Sequence, residues 1–173
     1  MMTIRNAEEQ DLARVVEIYN AAVPTKRSTA DTEPVSIASK SEWFRKHNPE
    51  RRPLLVYEIN DEVAAWVSFE DFYGRPAYHH TAEISIYISP EHQGQRLGQT
   101  LLREALELAP KLELKTLIGY VFAHNEPSIR LLRGFGFQKW GRLPNVAEMD
   151  GKEFSLCIMG KRLGNATPSN ETM

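Results

Sequence analysis

A chain of 173 residues, 42% apolar and 25% charged, is long enough to bury one sizeable core, so a single globular domain is expected. Its net charge of −2, with no basic block, argues against nucleic acid or an anionic membrane as the main partner, and no apolar run approaches the roughly 20 residues of a spanning helix. The single cysteine, Cys157, excludes an internal disulfide and a cysteine-built metal cluster.

The first residues, MMTIRNAEEQDL, lack the apolar core of a signal peptide, and a cytoplasmic location is expected. TIRNA (3–7) is a short strand candidate. In EEQDLARVVEIYNAA the apolar Leu12, Val15, Val16 and Tyr19 recur at helical spacing. The polar stretch 23–35, with two prolines, reads as a loop. SIASKSEWFRKH then looks helical, with Ser39 and Glu42 spaced as a capping box.

Two strands, 54–59 and 62–72, flank a turn at Asn60-Asp61 and form a hairpin pattern. After a loop, TAEISIYI (81–88) is a third strand. LGQTLLREALELA is an amphipathic helix whose face carries Leu97, Leu101, Leu102, Ala105, Leu108 and Ala109. A buried strand (115–123) follows, then a short helix capped by Asn125, with Pro127 in its first turn and Gly134 or Gly136 as its stop. EFSLCIM (153–159) is a last strand, giving one domain over 1–163 and a polar tail over 164–173, expected to be disordered, with sequons at Asn165 and Asn170. The order predicts a mixed α/β (α+β) sheet rather than a regular βαβ repeat.

Chemistry concentrates between 81 and 100. A strand that feeds a helix through Gly94 and Gly98 can gather free amides, and the helix N-terminus adds partial positive charge, a combination that suits a phosphate or pyrophosphate. A plain strand-to-helix connection fits these residues equally well. The turn is not a P-loop, because Gly98 is followed by Gln99-Thr100, and it lacks the three early glycines of a dinucleotide fingerprint.

Read together, YHHTAEISIYISPEHQGQRLGQTLL and FAHNEPSIRLLRGFGFQKWGRL resemble the GNAT superfamily of N-acetyltransferases, within it the branch of phosphinothricin and methionine-sulfoximine N-acetyltransferases. IYN, TADTEPV, EWF and GRPAY add to a collinear likeness over nearly the whole chain. The resemblance implies a mostly antiparallel twisted sheet, splayed at its central strand and flanked by about four helices, with acetyl-CoA in the wedge. It implies that Gly94, Gln95, Arg96, Leu97, Gly98 and Gln99 hold the pyrophosphate. Ile86, Tyr87 and Ile88 would pair with the pantetheine amides, and Asn125 and Ser128 would contact the same arm. It also implies a homodimer, with loop 23–35 near the partner's site.

The superfamily pattern Gln/Arg-x-x-Gly-x-Gly/Ala is met at Gln93 and Gly98, but Arg96 stands at its central glycine. Ordinary helical φ/ψ is expected there, so that Arg adds charge without strain; a position needing φ > 0 would strain it.

Acetyl transfer to an amine requires a base. Alternation puts Glu83, Ser85 and Tyr87 on one face of their strand, and a carboxylate in such an apolar strand should be partly desolvated, which raises its pKa. In the resembled family this Glu serves as base, and the acceptor lies against Tyr73, Gly74, Arg75, Glu83, Ile84 and Ser85. Arg75 is a candidate to read a substrate carboxylate. Leu131-Leu132 replaces the branch's Leu-His, so no general acid is assigned, although Tyr120 or Tyr87 could substitute. Glu153 and Ser155 replace the branch's Trp and Asp, which alters the acceptor pocket.

His79, His80, His92 and His124 are expected to make hydrogen bonds rather than bind metal, with His79 and His80 on opposite faces if extended, and Trp43, Trp66 and Trp140 to sit in the core or an interface. The expected activity is N-acetylation of a small amino-acid-like amine (phosphinothricin, methionine sulfoximine or its sulfone). Other amine acceptors (polyamine, aminoglycoside, protein N-terminus) and a non-catalytic acyl-CoA-binding module are the alternatives.

Overall fold

The computed structural model describes residues 1–164. From Asn165 onward the expected polar tail and its two sequons lie outside the described residues.

Seven strands form one sheet: β1 (Met2–Asn6), β2 (Leu54–Ile59), β3 (Glu62–Asp71), β4 (Thr81–Ile88), β5 (Thr116–Phe122), β6 (Gln138–Met149) and β7 (Lys152–Arg162). Their spatial order is β1-β2-β3-β4-β5-β7-β6. Every neighbouring pair is antiparallel except β4 with β5. Four helices flank the sheet: α1 (Leu12–Ala22), α2 (Ile37–Arg45), α3 (Leu97–Leu108) and α4 (Glu126–Gly134). The expected mixed sheet is therefore present.

The two faces of the sheet carry separate cores. On one, Leu97, Leu101, Leu102 and Ala105 of α3 and Leu132 of α4 bury against Val67, Phe69, Ile84 and Leu117. On the other, Val15 and Ile18 of α1 pack on Val56 and Trp66, with Trp43 of α2 at their edge. Strand alternation sorts these residues: in β4 the isoleucines face α3, while Glu83, Ser85 and Tyr87 face the side of α1 and α2.

Two short turns set the register of the hairpins. Asn60-Asp61 and Asp150-Gly151 all have positive φ, the conformation a two-residue hairpin loop with right-handed twist demands. The second turn joins β6 to β7. Sequence reading delimited only the later of these two strands, at 153–159; the hairpin is longer, and β6 escapes an alternation test because bulges interrupt its register between Lys139 and Gly141 and between Leu143 and Ala147.

Helix ends differ in detail from expectation. α2 is capped by Ser36, whose hydroxyl accepts from the Ser39 amide at 3.1 Å, so the helix starts a turn earlier than a Ser39 cap implies. Asn125 caps α4 as expected, accepting from the Ser128 amide at 3.4 Å. Gly134 closes that helix, and Gly136, at φ +89°, takes the left-handed step after it.

Candidate active site

β4 and β5 pair in register only from Thr81↔Thr116 to Glu83↔Ile118. Beyond that point β4 keeps β3 on one side through Ile88, while β5 turns to follow β7. The sheet opens here into a wedge whose apex is Glu83. A cavity of about 300 Å³ fills it, bounded by Glu83–Tyr87 of β4, Gly119–Phe122 of β5, the α4 cap Asn125 and Ser128 of α4. Backbone amides and carbonyls along an opened strand edge need partners, so the wedge is built to take a strand-like polar ligand.

Glu83 is half-buried at the apex. Burial, and secondarily the carboxylate of Glu70, push its carboxyl up to about 7. Glu70 is its register partner on β3 and accepts a hydrogen bond from Trp43 Nε1 at 3.1 Å. The carboxyl is thus poised to exchange a proton near neutral pH.

The turn after β4 approaches the wedge mouth. Its two glycines serve different needs. Gly94, at φ +78° with open space around it, supplies a conformation that side chains rarely adopt. Gly98 is an ordinary helical residue; a Cβ there would meet Leu131 Cδ2 at 3.1 Å and Ile88 Cδ1 at 3.5 Å, so its absence lets α3 close on α4 and β4. Leu97 and Gly98 are buried, while Gly94, Gln95, Arg96 and Gln99 are exposed.

Arg96 overturns the expectation of helical geometry. It is the residue before the first turn of α3, not within it, and has φ 61° and ψ 24°. A left-handed entry turns the chain sharply into the helix, and an L side chain in this region carries strain. Its guanidinium nevertheless stands at the helix N-terminus, where the amides of Leu97, Gly98 and Gln99 have no partner within the helix.

Loop 23–35 crosses the wedge of its own chain. The Ser28 carbonyl accepts from Tyr87 Oη at 2.7 Å, the Arg27 carbonyl from Asn125 Nδ2 at 3.2 Å, and Lys26 pairs with Asp150. Tyr19 of α1 bonds both Thr29 and Asp31. Arg27–Ala30 consequently roof the cavity. Sequence reading found the loop but not this strap; its only local signal is the TADTEPV stretch that carried part of the resemblance.

Ile86 and Ile88 present their side chains to the α3 core, leaving only their backbones at the wedge. The Ile88 carbonyl accepts from Gln93 Nε2 at 3.0 Å. Tyr120 lines the wedge beside Tyr73 and Glu83, and burial raises its phenol pKa. Tyr87 is stacked on Trp66, its ring centroid 4.7 Å away, with its pKa raised chiefly by burial. Tyr73 is exposed, with φ 56°, and Gly74 follows with φ 64°. Gly74 and Arg75 border a separate surface cavity with Asp71 and His79, not the wedge itself.

The four histidines named from the sequence each hydrogen-bond a protein oxygen: His79 to Pro76, His80 to Glu113, His92 to Ser89 and His124 to Lys26. His79 and His80 do not point apart. They leave a 3-10 turn rather than a strand, and their rings lie 3.8 Å apart. Among the described residues no group of three His, Cys, Asp or Glu could hold a metal, and no helix is long and apolar enough to cross a membrane. Cys157 is buried in the core and is not among the residues that line the wedge. Trp66 is core, Trp43 lies at its edge, and Trp140 is 46% exposed over Gly160.

A sheet opened beside a parallel joint, with a helix N-terminus at the mouth and a half-buried carboxyl at the apex, is the architecture of an acyl-transferring enzyme. The chain belongs to the acetyltransferase (GNAT) family, whose sequence model matches residues 14–137, and its co-substrate is acetyl-CoA. It is 51% identical over 163 residues to YwnH of Bacillus subtilis (strain 168), provisionally named a phosphinothricin acetyltransferase, covering 94% of this chain and 99% of that one. It is 31% identical over 162 residues to the L-methionine sulfoximine/L-methionine sulfone acetyltransferase of Salmonella typhimurium, with 94% and 95% coverage. Among solved structures, the phosphinothricin acetyltransferase of Sinorhizobium meliloti in complex with acetyl-CoA superposes with a TM-score of 0.90 at 28% identity, covering 99% of this chain and 93% of that one.

Proposed function

We propose that this enzyme transfers an acetyl group directly from acetyl-CoA to the amino group of a small amino-acid-like acceptor, of the class of phosphinothricin, methionine sulfoximine and methionine sulfone, with Glu83 as general base. The observation that carries this reading is the place and acidity of Glu83: apex of the wedge, carboxyl pushed up to about 7 by burial and Glu70. An ammonium arriving there loses its proton to Glu83, directly or through a water, and the free amine attacks the thioester carbonyl.

The remaining residues bind and aim. Backbone groups of Ile86, Tyr87 and Ile88 pair with the amides of the pantetheine arm. The amides opening α3, with Gly94, Gln95, Arg96 and Gln99 around them, take the pyrophosphate. Asn125 and Ser128 border the arm, and the bond from Asn125 to Arg27 exchanges for one to the arm as it enters. Tyr73, beside Tyr120, borders the acceptor, and Arg75, which with Gly74 borders the neighbouring surface cavity, is the candidate for the acceptor's carboxylate. No protein acid is assigned to the leaving thiolate. A thiol loses its proton near 8.5, below a tyrosine phenol, so Tyr120 with its raised pKa is a poor donor and the thiolate leaves unaided.

A homodimer is part of this reading. β6 carries three exposed large apolar residues, Trp140, Leu143 and Val146, at 46%, 40% and 57% exposure, and such a strand is suited to a second copy.

Thiol release from acetyl-CoA over a panel of amines tests the proposal. Turnover is expected with phosphinothricin, methionine sulfoximine and methionine sulfone, and not with polyamines, aminoglycosides or peptides. Turnover confined to those other amines would overturn the acceptor class. Acetyl-CoA binding by calorimetry without turnover on any amine would overturn catalysis.

A further inference from the structure

The face of the sheet that carries Glu83 holds a second cavity, of about 210 Å³, beneath α1 and α2. Its floor is Ser68 of β3 and Ser85 of β4, which are register partners; Glu70 and Glu83 are the next pair along the same face. Its walls are aromatic: Trp66 stacks on Tyr87, and Trp43 meets Trp66 edge-on with centroids 5.6 Å apart. Lys40 Nζ stands over the Tyr19 and Trp43 rings, 5.3 and 5.7 Å from their centroids, and forms none of the ion pairs among the described residues. Ser68 is fully buried, and its hydroxyl has no hydrogen-bond partner.

Positions on a sheet beneath two helices are ordinarily filled by apolar side chains. Here the floor is hydroxyl, one wall bears an ammonium, the Glu70 carboxylate at the edge accepts from Trp43, and the buried Ser68 keeps an unused donor. A buried hydroxyl without a partner costs stability and asks for a ligand. The cavity also adjoins the wedge, because Ser85 and Tyr87 line both. Glu83 and Ser85 are two residues apart on one strand face, about 7 Å. In an amino acid with two methylenes the amino nitrogen and the head atom are four bonds apart, about 5 Å when extended. An amine held at Glu83 therefore places its head over the serine floor.

We propose that this cavity receives the acceptor's side-chain head, a methyl-capped tetrahedral oxo group such as a phosphinate, sulfone or sulfoximine. Lys40 and Ser68 donate hydrogen bonds to the head oxygens, and the aromatic walls hold its methyl. The inference rests on the amino-acid reading above and adds the residues that choose among amino acids. Lys40 favours the anionic phosphinate over the neutral sulfone, since a hydrogen bond from an ammonium to an anion is the stronger one.

The test compares a headed acceptor with a headless one. For Lys40→Met, kcat/KM toward phosphinothricin is expected to fall about 10- to 100-fold, the loss of a charged hydrogen bond. Toward 2-aminobutyrate, which ends at the γ-carbon, it changes less than about twofold, and acetyl-CoA binding is unaltered. Lys40→Arg restores part of the loss. Ser68→Ala, which removes one atom, lowers the same ratio without touching charge and carries the test should Lys40→Met fold poorly. Tryptophan fluorescence supplies a readout without turnover: phosphinothricin added alone shifts the emission of Trp43 and Trp66 in the wild type and not in Lys40→Met. Equal loss on both acceptors, or on neither, overturns the subsite while leaving the amino-acid reading intact. Absence of wild-type turnover on every headed acceptor overturns both.

Discussion

The two ends of β4 make an instructive contrast. At Ala82 and Glu83 the strand is paired on both sides; from Ile84 to Ile88 it is paired with β3 alone. The first end is ordinary sheet interior, and the second is an edge held open inside the molecule. Glu83 is the last residue of the closed end. It gains burial from both neighbours there, while it also lines the cavity that opens from it toward Tyr87. The strength of the base and its access to substrate thus come from one change in pairing.

Removing the carboxyl breaks this contrast most severely. Glu83→Gln keeps the shape and the hydrogen-bonding reach but cannot take a proton. Turnover at neutral pH is expected to fall on the order of 10²- to 10³-fold, the usual worth of a positioned base, with acetyl-CoA affinity within about twofold of wild type. Steady-state thiol release and calorimetry read the two numbers. Comparable losses in both would assign Glu83 to shaping the wedge instead.

The same substitution has a stability signature of opposite sign. The folded pKa of Glu83, about 7, is raised above the ordinary 4.5, so the folded state binds more protons than the unfolded chain between those values. Stability contributed by this group therefore declines as pH rises through that window. Thermal melts should show Glu83→Gln stabilised relative to wild type at pH 8 and indistinguishable near pH 4. A pH-independent difference would remove the case for a desolvated acid.

Glu70→Gln sharpens the comparison, because it leaves burial intact and deletes only the second cause of the shift. The wild-type kcat/KM should climb with pH and level above an apparent value near 7. Without the facing carboxylate the midpoint moves toward acid, yet stays above 4.5 because burial, the larger cause, persists. An unmoved midpoint would mean that the two groups do not sense each other.

How far these features could be read from residues alone follows the same division. The bounds of β4, and the burial of Glu83 within it, come from alternation along a single strand, a local signal, and they match the structure. The influence of Glu70 is not local: it depends on which residue of β3 lies opposite, across a β3–β4 connection (72–80) that is a loop with a 3-10 turn and carries no two-residue hairpin signal. The Lys40 and Ser68 cavity needs two helices laid over two strands. The strap over the wedge depends on Tyr19, Tyr87 and Asn125 meeting a loop that has no periodicity. Asp150-Gly151 is a hairpin signal that sequence reading passed over, because β6 before it carries Gly141, Pro144 and Asn145 and shows no alternating pattern.

Arg96 marks the other boundary of the open edge, where expectation and structure part most clearly, and it yields the smallest effect. Counting from the helical pattern puts it in the first turn; the structure puts it one residue outside, left-handed. Arg96→Gly should therefore relax the backbone and raise stability, by about 1 kcal/mol at most, since glycine's ease at positive φ is partly offset by its freer unfolded chain. The same change deletes a cation facing the proposed pyrophosphate site. An exposed charge of this kind is worth roughly 0.2–1 kcal/mol, so acetyl-CoA affinity should fall about 1.4- to 5-fold, and the deficit should shrink in high salt. A melt and a calorimetric titration at two ionic strengths separate the effects: higher melting temperature with weaker, salt-sensitive binding is the expected pair. Tighter binding in the glycine variant would show that the turn's geometry, rather than the charge of its arginine, governs how the coenzyme is held.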